Sequence, residues 1–547
     1  MFVQRRTTFS NSRRQCVVLA AVVFILSGCI KVGPDFHRPD VAVPSDWTEA
    51  GENQGETGPA DYRSWWRVFN DPILDRLIDL AYRENLTLRI AGARVLEARA
   101  LLGIVVGEFF PQTQQGFGSV HYNRTSQGSV QTGTQQSSAS QSSASLGGGS
   151  GLSFWQSQIG LTASWELDFW GKYRRAIESA DASWLASVAD YDNALVALTA
   201  DVANSYITIR TLETRLDIAR RNAQTQRENL NIAEARFKYG TATQLDLDQA
   251  ETSLNNTLAT IPSLEAQLRQ TKHGLSVLLG MAPGDLSGYL NGPAHIPVSP
   301  PQIVLGIPAD LLRRRPDIRA AEHRAAAQSA QIGVAKADLY PAFSLSGTFG
   351  FLSTDIGSAS LSDMFNWSSR FIQAGPSFQW NILNYGRISN NVRLQDARLQ
   401  ELLITYQNMV LTAQQEVEDN LVAFLRARDR AEFLARSTAA AARSLDLAVL
   451  QYQQGIKDFT TVLIAQQSLL NEQDSLATTM GNIASSLVGV YRALGGGWEI
   501  REGKELVPPE IREKMEQRTD WGKLLAPASY NPPVPPERKP GVRGPDW

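Results

Sequence analysis

The chain has 547 residues, 43% of them hydrophobic and 20% charged, with a formal net charge of −3. That supply of apolar side chains argues against disorder, and so mild a charge argues against a nucleic-acid partner. The five histidines, His37, His121, His273, His295 and His323, show no metal-ligand spacing, and no phosphate loop, dinucleotide fingerprint or nucleophile elbow is present, so little speaks for an enzyme, a metal or a cofactor.

Arg5, Arg6, Arg13 and Arg14 precede an apolar core at residues 16–26, closed by Leu26-Ser27-Gly28-Cys29. Eleven apolar residues are too few to cross a bilayer as a helix, which makes residues 1–28 an export signal. The closing quartet resembles a bacterial lipobox, whose cysteine takes a covalent lipid before cleavage; an ordinary signal with a chance cysteine is the plainer alternative. On the lipobox reading the mature chain starts at Cys29, its only thiol once Cys16 has left, and no disulfide forms within one chain. Loss of the four arginines takes the charge from −3 to −7. Ile30 stands where an aspartate would resemble an inner-membrane retention signal, which favours the outer membrane.

Residues 29–73, rich in Pro, Gly and Trp, read as an extended arm on the outside of the body. Helical periodicity begins at Leu74 and is predicted to run to Phe110, ended by Pro111. A leading strand near residues 112–123 alternates poorly, whereas Ile159, Leu161, Ala163, Trp165 and Leu167 alternate with smaller or polar residues as a half-buried strand does. The Ser/Gln/Gly tract at residues 125–153 has almost nothing to bury and reads as a mobile loop at the hairpin tip, or else as a linker.

Residues 172–280 read as two very long helices folded back at a glycine. Leu195, Val202, Ile209, Leu216, Ala223, Leu230 and Phe237 recur every seven residues, with Leu198, Leu212, Ala219 and Ala233 on the interleaved row. That is a 3.5-residue seam, which makes helices supercoil around neighbours. Residues 172–236 number 65, about 97 Å of helix at 1.5 Å per residue, the length of a tube or a stalk. The return arm keeps the period at Leu247, Leu254, Ile261, Leu268 and Leu275, and Pro262 is expected to bend it.

This hairpin is written twice. Trp165 aligns with Trp380, Gly171 with Gly386, Phe237 with Tyr452, Gly240 with Gly455 and Gly280 with Gly495, a constant offset of 215, as 380 less 165. The second return arm carries Val462, Leu469, Leu476, Ile483 and Val490, and its Ala477 is the twin of Pro262. A second offset of 230, as 318 less 88, sets Leu88 on Ile318, Arg94 on Arg324 and Pro111 on Pro341, so the duplication includes a shorter helix. Phe343, Leu345, Phe349 and Phe351, then Ala374, Pro376, Phe378, Trp380 and Ile382, alternate as two further strands. A soluble sandwich is one reading of four such strands. The other is a membrane barrel closed by three chains, because four strands alone would leave open edges in lipid.

The chain thus divides into a signal (1–28), the arm (29–73), a first repeat (74–280), a Pro-rich crossover (281–315), a second repeat (316–495) and an equatorial segment with a flexible tail (496–547). In the crossover, Gly306-Ile307-Pro308-Ala309-Asp310-Leu311-Leu312 runs into Arg313-Arg314-Arg315-Pro316-Asp317-Ile318, a proline at a helix start with an acid in its first turn. The three arginines are assigned a structural role.

With this motif, the quartet at Cys29, the stretch from Ile30 to Pro39, Trp65-Trp66 with Phe69, Asp71 and Pro72, and the duplicated hairpins, the chain resembles the TolC-like outer membrane factor family in its NodT-type lipoprotein branch. The resemblance covers residues 29–498. It implies an α+β fold in which doubled helical hairpins build a trimeric α-barrel through the periplasm and four strands per chain build a twelve-strand membrane β-barrel. It also implies a passive exit duct for multidrug-type efflux, docked to a periplasmic adaptor and an inner-membrane pump of the resistance-nodulation-division type. The hairpin turns at Gly240 and Gly455 are then the periplasmic tip, where the need to reverse the chain is reason enough for glycine. Family tips are held closed by a tyrosine and an aspartate on facing hairpins, matched here by Tyr452 and Asp246, with Lys457 in the place of a basic residue after the second turn. Tyr452 is equally an ordinary residue of the seam. Two acids that often ring the aperture are replaced by Thr461 and Ile464, leaving Asp246, Asp248 and Asp458 as the available charge. A lipid-anchored coiled-coil scaffold without channel activity is the competing reading.

Overall fold

The computed structural model describes residues 31–41, 43, 47, 48, 62–125, 152–284, 286–292, 295–300, 314–355 and 360–527. The export signal with Cys29, most of the Ser/Gln/Gly tract, residues 301–313 of the crossover and the end of the tail lie outside the described residues.

Helix α1 (Pro72–Glu84) starts at Asp71, whose carboxylate accepts the Ile73 amide at 2.9 Å, and Pro72 occupies the first turn, where no amide is needed. The single helix expected from Leu74 to Phe110 is two, because Asn85 breaks it. Asn85 is extended (ψ 124°), its side-chain oxygen accepts the Leu88 amide at 2.8 Å to start α2 (Leu86–Gly107), and its amide nitrogen donates to the Leu278 carbonyl at 2.9 Å. A buried polar side chain satisfied on both sides outweighs the continuing apolar period.

Four strands follow the order β1 (Thr113–Thr125), β2 (Leu152–Leu167), β3 (Ala342–Thr354), β4 (Arg370–Gln379), each antiparallel to the next. The poorly alternating β1 is held in thirteen consecutive register pairs with β2. One sheet face presents Ile159, Leu161, Trp165, Leu345, Phe349, Ile372 and Phe378, all exposed in a single chain apart from the half-exposed Trp165. The opposite face carries Gln158, Thr162, Ser164, Ser344, Ser346, Thr348, Gln373 and Ser377. Strands β1 and β4 each keep one edge without a partner among the described residues.

The sequence repeat becomes a repeat in length. Helices α3 (Lys172–Lys238) and α6 (Arg387–Gln453) both have 67 residues, and the return arms α4 (Gln244–Leu278) and α7 (Phe459–Ala493) both have 35. All four bounds keep the offset of 215, and α5 (Pro316–Ala337) matches α2 at 230. Sixty-seven residues extend about 100 Å. Helix α4 continues through Pro262 without interruption.

The main core runs from the middle of the long helices through their strand-proximal half, where residues 62–69, α1, α2, α3, α6 and α7 bury Trp65, Leu74, Leu96, Tyr206, Leu487 and Phe424. Each such side chain contributes about 1.5–3 kcal/mol on burial, far more than the small seam residues along the rods. A second, thinner cluster at the far end joins Ala233 and Ala250 of the first hairpin to Tyr452, Phe459 and Val462 of the second. Outside the body, the arm is pinned by Arg175, which donates to the carbonyls of Val32 and Gly33 at 3.0 Å each, and by Arg38, 3.2 Å from Glu322. The short helix α8 (Pro509–Glu516) follows near the end.

Candidate functional site: the hairpin tips

Both long helices end in the same way. The amide of Gly240 donates to Phe237 O at 2.9 Å and that of Thr241 to Arg236 O at 2.8 Å; Gly455 donates to Tyr452 O and Ile456 to Gln451 O, each at 2.9 Å. This paired closure needs the left-handed conformation at the glycine, where φ is 71° at Gly240 and 75° at Gly455. Gly240→Ala or Gly455→Ala is therefore expected to cost about 1–2 kcal/mol locally and to speed amide hydrogen exchange in the adjoining turns, with the strand end unchanged.

The return arms start differently. Thr243 forms a capping box with Asp246: the Asp246 Oδ2 accepts the Thr243 amide at 2.9 Å and its hydroxyl at 3.0 Å, and the Asp246 amide donates back at 3.3 Å. In the second copy Asp458 stands at the cap position without a side-chain cap bond, and Thr461 donates to its Oδ1 at 3.1 Å. Asp248 is exposed and accepts from Gln244 at 2.8 Å. Lys457 is exposed and forms no ion pair among the described residues, and Ile464 is also exposed.

Tyr452 is only 4% exposed, packed edge-on against Phe459 at 5.3 Å. Its hydroxyl has no hydrogen-bond partner among the described residues, and Asp246 is engaged with Thr243. Burial pushes the phenol pKa up, the charge of Asp246 adds to that, and Arg236 opposes it. Tyr452 and Asp246 therefore feel one another electrostatically within a chain but are not bonded. At the tip the two hairpins are bridged by Arg236, which spacing does not single out; further up, Arg215 with Asp474 and Asn222 with Gln473 join them as well. The Arg236 guanidinium lies 4.6 Å over the Tyr452 ring, donates to the Tyr452 carbonyl, and donates to Thr241 O at 3.3 Å. Its signal in the sequence was a break in the duplication, since the twin position is Gln451. The arrangement ties the ends of the two hairpins to one another, and no group of three acids, histidines or cysteines capable of holding a metal occurs among the described residues.

Several known proteins share this build. The family described as outer membrane efflux protein matches residues 77–281 and 307–496. Nodulation protein T of Rhizobium leguminosarum bv. viciae is 32% identical over 484 residues, covering 88% of this chain and 93% of the relative. The toluene efflux pump outer membrane protein TtgI of Pseudomonas putida is 31% identical over 493 residues, covering 88% and 98%. Among solved structures, the outer-membrane channel OprN superposes with a TM-score of 0.77 at 31% identity over 86% of this chain and all of that one. The open state of the Neisseria gonorrhoeae MtrE channel gives 0.71 at 25% identity, over 86% and 98%. With the doubled hairpins, the four-strand sheet and these matches together, the chain belongs to the outer membrane efflux protein family and is an outer membrane efflux channel.

Proposed function

We propose that three copies of this chain close into one duct, the exit of a tripartite efflux system. The observation that carries this is the sheet: four antiparallel strands with one apolar face, one polar face and, among the described residues, two unpartnered edges. Three such sheets give twelve strands, an even number large enough to close, with the apolar face toward lipid and the polar face toward water. The rods continue the bore through the periplasm, and no helix is long and apolar enough to cross a membrane among the described residues. Cys29 carries the covalent lipid that fixes the arm to the membrane, and no other cofactor is used.

On this reading a periplasmic adaptor and an inner-membrane pump of the resistance-nodulation-division type dock at the tips, and energy comes from the pump. The exposed charges at Asp248, Lys457 and Asp458 meet the adaptor or the neighbouring chain, while Arg236 and Tyr452 hold the two hairpins of one chain together beside the Gly240 and Gly455 turns and Asp246 caps its own return arm. The test is direct. The purified full chain in mild detergent is expected to run as a heat-resistant trimer and to give single-channel currents in planar bilayers; a monomer without current would mark it as a scaffold instead.

A further inference from the structure

Across the polar face of the sheet, one full register row carries no polar side chain. Phe117 of β1 pairs with Gly160 of β2, Gly160 with Gly350 of β3, and Gly350 with Phe371 of β4, so a single register line across all four strands reads Phe-Gly-Gly-Phe. Both rings lie on the face that carries Gln158, Thr162, Thr348 and Gln373, with Phe154 further outward on it. Each covers its glycine: a Cβ on Gly160 would stand 2.8 Å from Phe117 Cζ, and one on Gly350 would stand 2.9 Å from Phe371 Cε1. Gly350 is buried as a result, although it belongs to the wet side. Leu352, the next residue outward on that face of β3, extends the apolar band.

Aromatic rings cost nothing on the lipid face, where the strands place most of theirs. On the polar face they need another reason. Covering cross-strand glycines is one half of it, since the rings shield backbone where the strands approach closely. The other half is the bore. Resting on the three-chain reading above, we propose that this row forms an aromatic collar inside the barrel, a narrowing separate from the periplasmic tips. Two rings per chain give six in three chains. They present π-faces and ring edges to passing cargo and so favour small apolar or aromatic molecules, while hydrated bulky solutes meet an apolar constriction. The glycines are part of the device, because a Cβ at Gly160 or Gly350 would meet a carbonyl oxygen of the neighbouring strand at 2.6 Å as well as the covering ring.

Cysteine accessibility tests the collar from outside the cell. Ser346→Cys places a thiol on the polar face on the periplasmic side of the row, and His121→Cys places one on the outer side; the parent chain is the blank. A small methanethiosulfonate cation is expected to label both, and a polyethylene-glycol maleimide only His121→Cys. Adding Phe117→Ala and Phe371→Ala should let the bulky reagent label Ser346→Cys at least about tenfold faster, equivalent to about 1.4 kcal/mol of barrier. Phe117→Leu with Phe371→Leu keeps the bulk and should keep the exclusion. If the alanine pair fails to assemble, Phe371→Ser alone should still relax exclusion. Bulky labelling of Ser346→Cys in the unaltered collar, or exclusion unchanged by removal of the rings, would overturn the collar while leaving the channel intact. Failure of the small cation to reach Ser346→Cys would remove the water-filled bore itself.

Discussion

Asp192→Ala is expected to cost about 3–5 kcal/mol, the largest effect of the single substitutions argued for this chain, because it strips the partner from the buried Arg501 and the half-buried Arg319. Asp192 lies on α3 with no exposed surface; Arg501 donates to it from Nε and, at 3.1 Å, from Nη2, and Arg319 of α5 approaches to 3.6 Å. Burial pushes the Asp192 pKa upward while Arg501 and Arg319 oppose the shift. The two guanidiniums also flank Trp498, at 5.9 Å and 5.0 Å from its ring. Removal of the carboxylate leaves like charges facing each other in the core that joins both repeats to the C-terminal segment. Heating followed by gel electrophoresis reads the outcome as loss of the heat-resistant form at a markedly lower temperature. Arg501→Ala should cost less, since Arg319 still faces Asp192, and Asp192→Leu with Arg501→Met should recover most of the loss. Equal damage from the double and single variants would refute the charge argument and leave only packing.

Arg236→Ala is expected to have the second-largest effect, here on function. It removes a charged hydrogen bond of about 1.5–3 kcal/mol and a cation–π contact of about 0.5–1 kcal/mol between the two hairpins of one chain. A loss of about 2–4 kcal/mol shifts a closed–open equilibrium by roughly 30-fold to several-hundred-fold toward open, which planar-bilayer recording would register as higher mean current. Tyr452→Phe should change little, because the lost hydroxyl bonds to nothing among the described residues. Asp246→Ala loses the capping box, about 1 kcal/mol, and should fall between the two. A current raised by Tyr452→Phe but not by Arg236→Ala would mean that the hydroxyl is recruited by a neighbouring chain and that Arg236 is no clamp.

The sequence reveals most of the architecture because two periodicities and two constant offsets run through it. The hairpins, the glycine turns and three of the four strands are legible from spacing alone. The helix break at Asn85 is not, since the apolar period passes over it and its cause is a hydrogen bond to Leu278, 193 residues away. Strand β1 hides for a related reason: Gly116 and Gly118 occupy two of the positions on its apolar face and Phe117 one on its polar face, so its pattern completes itself only beside β2. At the tips, the family resemblance names Tyr452 and Asp246, but a search for seams and acids passes over Arg236, which acts through a backbone carbonyl and a ring face.

The matched arms have a consequence for how such a chain can change its reach. Deleting one heptad from α3 alone would drop the first turn by about 10 Å against the second and ruin the register of every neighbour. Taking one heptad from all four arms would instead shorten the whole duct by the same amount while preserving each seam. Reach across the envelope is therefore a quantity that can be inherited in steps of seven residues, provided that the four arms change together.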